Sequence, residues 1–141
     1  MALDRQEILR RLEDRLSAVS RWVGGRHSAG EHGLEQLQAR LDSVRRDVSR
    51  ARDGSERSAH DALARARATV EDMERDYEVP PPHATVRPEE LRALRRHLEL
   101  TATLLPHISN LDDPRWLPAR EEYERSWDEV HRVFEGRAPP A

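Results

Sequence analysis

Residues 34–77 read LEQLQARLDSVRRDVSRARDGSERSAHDALARARATVEDMERDY, and the fold turns on this stretch. Leu34, Leu37, Leu41, Val44 and Val48 recur at steps of three and four, with charged residues between them. That spacing places them on one stripe of a helix, in a heptad-like seam. After a gap, Leu63, Ala66, Val70, Met73 and Tyr77 resume the same spacing. Asp53-Gly54-Ser55 lies in the gap. Two readings compete. Residues 28–78 form either one helix, about 75 Å long at the standard rise, or two helices joined at residues 53–55. A glycine inside a helix costs only about 1 kcal/mol, and the apolar period crosses the gap with little phase jump. The turn is still the preferred reading. Ser55 is a good N-cap, and a break here yields helices of similar length, which pack side by side without overhang.

Working outward, Ser28 with Glu31 three residues on marks the start of the second helix. Before it, Asp4 and Glu7 form a capping box, and Leu3 and Ile8 stand at staple spacing. Ile8, Leu9, Leu12, Leu16, Val19, Trp22 and Val23 continue the stripe to Gly24-Gly25, where the helix ends. The run Ala59–Ala68 carries alternating alanines, which let helices approach closely. Pro80-Pro81-Pro82 breaks the helix and makes 79–87 a stiff, proline-rich linker. Pro88 opens a fourth helix, with Glu89 and Glu90 in its first turn and Leu91, Leu94, Leu98, Leu104, Leu105 and Ile108 as its stripe. Pro106 disturbs its end. Asp113-Pro114 opens the last helix, along which Trp116, Tyr123, Trp127, Val130 and Phe134 fall at steps of 7, 4, 3 and 4. Alternating β-branched runs are absent. The expected architecture is an all-α, antiparallel bundle of four or five helices with coiled-coil-like packing in a single domain. The helices are expected at about 4–24, 28–53, 55–78, 88–106 and 113–135.

Composition agrees with long helices that each bury a narrow stripe. Hydrophobic and charged residues each make up 36% of the 141, and only six residues are aromatic. All 24 basic residues are Arg, which reads as coding-sequence bias because they are spread along the chain. With no Cys, disulfide scaffolds, thiolate metal sites and Cys nucleophiles are ruled out. No apolar run is long enough to span a membrane, and the N-terminus lacks the order of a signal peptide, so a cytoplasmic protein is expected.

No catalytic machinery is recognisable. His27, His32, His60, His83, His97, His107 and His131 invite a metal hypothesis, but Asp128-Glu-Val-His131 is the nearest match to a carboxylate–histidine turn and stands alone. Solvated or capping histidines, no metal and no cofactor are expected. Trp22-Val23-Gly24, between two amphipathic helices, resembles the Trp-x-Gly turn of the small WXG-type helical hairpins of specialised bacterial export systems. The family's trailing Tyr-x-x-x-Asp/Glu signal is missing, since Pro81 follows Tyr77 and Trp127 follows Tyr123 at that spacing. Trp22 and Gly24 therefore read as the packing and capping of the first helix.

Two functional readings remain. The first is a non-catalytic protein-interaction module: a scaffold, adaptor or accessory subunit. Its partner would meet Arg115, Trp116, Tyr123 and Trp127, because Trp, Tyr and Arg make strong interface anchors. Net charge over 111–141 is −3, five Arg against eight acids, which would favour a basic partner. The heptad-like seam, the alanine patch and the lean core also predict a homodimer through helices two and three. The second reading is an accessory protein that contacts nucleic-acid backbone through Arg45, Arg46, Arg50, Arg52 and Arg57. Against it stand the overall charge of −3 and acids placed for ion pairs between those arginines.

Overall fold

The computed structural model describes residues 4–25, 34–79, 86–110 and 113–135, and among them there is no strand. Five α-helices follow one another: α1 (Arg5–Gly25), α2 (Leu34–Asp53), α3 (Glu56–Asp76), α4 (Pro88–Leu104) and α5 (Leu117–Glu135). The Ser28–Glu31 start signal, the three prolines at 80–82 and the chain beyond Glu135 lie outside the described residues.

The stretch 34–77 is two helices with a turn at Gly54 and Ser55. Ser55 is extended (φ −70°, ψ 169°), and its side chain accepts from the Ser58 N–H at 3.2 Å. That bond satisfies one of the orphan donors at the start of α3. Gly54 is required by space. A Cβ there would lie 2.9 Å from the Ser58 Cβ and 3.1 Å from the Arg50 carbonyl oxygen, so any side chain would push the turn open. At the same end of the bundle, Asp4 caps α1 by accepting from the Glu7 N–H at 2.7 Å. The Glu7 carboxylate turns instead to Arg10 and Arg11. In α4 the Glu90 side chain reaches back to the Arg87 N–H at 2.8 Å, as a capping box requires.

Each helix packs on its neighbours in sequence, and the pairs run antiparallel. Arg5 at the start of α1 donates to the Gly54 carbonyl at 2.8 Å, and Arg52 pairs with Glu13. Arg95 of α4 pairs with Glu74 near the end of α3, and Arg96 with Glu122 of α5. An odd count of alternating helices leaves α5 parallel to α1, and the two meet through side chains from Arg15 to Trp22.

The core is the sum of the stripes: Ile8, Leu12, Leu16, Val19 and Val23 from α1, Leu37, Leu41, Val44 and Val48 from α2, and Leu91, Leu94 and Leu98 from α4. Each fully buried aliphatic side chain stabilises by roughly 1.5–3 kcal/mol before chain entropy is counted. The alanine run of α3 faces inward through Ala59, Ala62 and Ala66, next to Leu63, Val70 and Met73. The seam of α2 and the small-residue face of α3 are thus buried against each other within one chain.

Three element ends depart from the expected ranges, the first being that of α3, which stops at Asp76 rather than at 78. Helix α4 ends at Leu104, because Pro106 cannot donate to the ladder, and the chain continues as a 3₁₀ turn over Leu105–Asn110. The last helix is preceded by a separate 3₁₀ turn, Pro114–Trp116, capped by Asp113, which accepts from the Arg115 N–H at 2.9 Å.

Candidate functional site

The residues expected to anchor a partner do not share one exposed face. Arg115 is exposed, and its guanidinium is held by Asp113 at 2.9 Å. This pairing, with the Arg115 backbone bond, keeps the Asp113 carboxyl below its ordinary range. Trp116 is half-buried and stacked on His107, with ring centroids 4.4 Å apart. Tyr123 is a core residue, 1% exposed. Trp127 is half-buried, stacks on Trp22 at 5.9 Å and lies tilted against His97 at 5.6 Å. The aromatic steps along α5 therefore mark its inward face. Tyr123 cannot meet a partner from where it sits.

Because Trp116 stacks on His107 and packs against the core, Trp116→Ala is expected to lower stability by about 1–3 kcal/mol. Urea unfolding followed by circular dichroism checks this. A change below about 0.5 kcal/mol would show that the ring carries no fold.

The five arginines of the phosphate reading are also dispersed. Arg45 is paired with Asp42 at 3.2 Å, Arg50 with Asp47 at 3.2 Å, and Arg52 with Glu13 and Asp53. Arg46 and Arg57 are exposed on different helices. A phosphate backbone would first have to break those pairs.

The structure does form a polar cluster that periodicity alone misses. His97 of α4 is 0% exposed. Arg15 of α1 donates from one guanidinium nitrogen to His97 Nε2 at 3.1 Å and to the Tyr123 hydroxyl at 3.2 Å. A guanidinium can only donate, so Nε2 accepts and the ring proton sits on Nδ1. Nδ1 lies 2.8 Å from Ser126 Oγ and donates to it, and the Ser126 hydroxyl donates to the Tyr123 carbonyl at 2.6 Å. Each bond in this chain has a defined direction. The Arg15 guanidinium also lies 5.1 Å from the Trp127 ring centroid and 5.4 Å from that of Tyr123. Burial, with the Arg15 charge added, pushes the imidazole down to about 3. Burial likewise raises the Tyr123 hydroxyl above its ordinary value.

The pairing of Ser126 with His97 is not that of an activated nucleophile. Activation requires the serine to donate to the ring, whereas here the ring donates to the serine. The cluster holds α1, α4 and α5 together. It replaces the solvated or capping role expected for His97. The signal in the sequence was its place beside Ala93, Leu94, Leu98 and Thr101, all buried on the same helix. Among the described residues, no three His, Asp or Glu side chains converge as a metal set.

A concavity lies elsewhere, between the start of α3 and the end of α4. It is a groove of about 980 Å³. Ala59, Leu63 and Leu105 lie at its floor, and Ala102, Pro106 and Ile108 form one wall. Arg5, Ser55, Glu56, Arg57 and His60 line the rest. Its shape follows from the sequence. Ala59 and Ala102 are small where neighbouring turns carry leucine, and Pro106 ends α4 and turns the chain toward Ile108. None of the five phosphate candidates except Arg57 touches it, and none of the four aromatic-site candidates does. Compared with family models, curated proteins and solved structures, the chain matches none.

Proposed function

We propose that the protein is a non-catalytic helical interaction module, a scaffold, adaptor or accessory subunit that docks a protein partner in the groove between α3 and α4. One observation carries this reading: an apolar floor and wall with a polar, charged rim, open on the surface of the bundle. Protein interfaces have that anatomy, with an apolar centre that expels water and a rim that stays wet. The half-buried Trp116 and the exposed Leu117 follow the 3₁₀ turn that supplies Pro106 and Ile108, so further apolar surface lies close along the chain.

The test is site-specific photocrosslinking in the cells that make the protein. A photoreactive residue at position 102 is expected to capture a discrete protein partner, while one at exposed position 132 on α5 captures none. A product at position 102 that nuclease removes would favour the nucleic-acid reading and sink this one. Equal capture at both positions would show that the groove is not the docking site.

A further inference from the structure

Resting on the docking reading, we infer that the occupant of the α3–α4 groove is an amphipathic helix of a protein partner, with apolar anchors one turn apart and an acidic flank. The walls decide the mode of binding. One is the first two turns of α3 and the other is the end of α4 with the 3₁₀ turn that follows it, so neither presents the extended edge that a pairing strand needs. A strand could not add to them, and recognition must run through side chains, as it does when a helix lies in a groove. Ala59 and Leu63 are one turn apart on α3, as are Ala102 near the end of α4 and Leu105 just beyond it. Two anchors at i and i+4 match that length.

Charge selects the flank. Arg57 is exposed at the second position of α3, Arg5 is held in place by the Gly54 carbonyl, and His60 is exposed one turn on from Glu56, the acidic residue of the lining. The positive end of the α3 dipole lies along the same edge. An acidic flank on the occupant gains from this rim and a basic one is repelled.

The experiment uses the full chain and two fluorescein-labelled helical peptides with leucines at i, i+3 and i+4. One peptide carries Glu at the flanking positions and the other carries Lys. The Glu peptide is expected to bind about tenfold tighter than the Lys peptide by fluorescence anisotropy at low salt. Ala102→Glu, on the half-buried wall, is expected to weaken it by about tenfold or more. Arg57→Glu, on the exposed rim, is expected to abolish the preference for the Glu peptide. Glutamate is a good helix former, and at position 57 it also suits the helix start. Circular dichroism of both variants confirms that they fold. Equal or tighter binding of the Lys peptide would overturn the acidic partner. The docking reading survives that result if Ala102→Glu still weakens binding. Absence of binding by either peptide overturns the inference, and capture at position 102 then decides the docking reading separately. Sedimentation showing a dimer that Ala102→Glu dissociates would make a second copy the occupant, and would overturn it as well.

Discussion

Replacing Tyr123 by Ala is expected to lower the free energy of unfolding by about 3–5 kcal/mol. The side chain is 1% exposed and stacks on His97, with ring centroids 5.2 Å apart. Its removal leaves a cavity between α4 and α5 and strips one acceptor from Arg15. Both effects have the same sign. Tyr123→Phe keeps the packing and loses only the hydroxyl, so its cost is expected near 1 kcal/mol. Urea unfolding of the three proteins, followed by circular dichroism, separates the two contributions. If Tyr123→Ala cost less than about 1 kcal/mol, Tyr123 would not be a core residue, and the placement of α5 would be wrong.

The second large effect is a loss of stability in acid that His97 causes. Folding holds the imidazole neutral, with its pKa pushed down to about 3, chiefly by burial and then by the Arg15 charge. In the unfolded chain it titrates near 6.5. Below that pH the unfolded state binds a proton that the folded state refuses. Stability is therefore fully present above about pH 6.5 and falls by about 1.4 kcal/mol per pH unit below it, until the folded pKa is reached. By pH 4.5 the loss is about 3 kcal/mol from this residue alone. Arg15 and Tyr123 face the ring, with Ser126 at Nδ1 and Glu124 near the guanidinium at 3.6 Å. Carboxylates elsewhere titrate over the same range. The measurement is thus a difference in unfolding free energy between the wild type and His97→Gln at pH 7 and pH 4.5. The wild type is expected to lose about 3 kcal/mol more than the variant. Parallel losses would show that the buried imidazole accepts its proton in the folded state.

The two effects share a cause. Arg15 is a charged residue on the flank of an apolar stripe, and it is 14% exposed by its side chain. It is tolerated there because its donors are used and two aromatic rings lie against its guanidinium. A buried polar network stabilises when every member is partnered and costs when one is lost. Variants at positions 15, 97, 123 and 126 are therefore expected to couple.

What the sequence determined by itself was everything that depends on neighbours along the chain. The steps of three and four along 8–23, 37–48 and 63–77 specify which face of each helix turns inward, and those residues are buried or, for Trp22 and Tyr77, half-buried against the core. Asp4, Ser55 and Asp113 announce helix starts because a cap acts within three residues of itself. Gly54 with Ser55 announces the turn in the same local way. What only the tertiary structure decided was which groups meet across the bundle. Arg15 and His97 are 82 positions apart, and Arg15 and Tyr123 are 108 apart. No period along one helix carries that information, because it depends on how the stripes of α1, α4 and α5 are rotated against one another. The aromatic residues of α5 show the same limit. Their spacing named one face, and that face could have been an interface or a core. The rings of Trp22 and His97 made it a core by filling the space opposite. The α3–α4 groove was hidden for a related reason. Its floor comes from Ala59 and Leu63, its wall from Ala102, Pro106 and Ile108, and its rim from Arg5. A concavity is an absence of side-chain volume between three segments, and it exists only once the segments are packed.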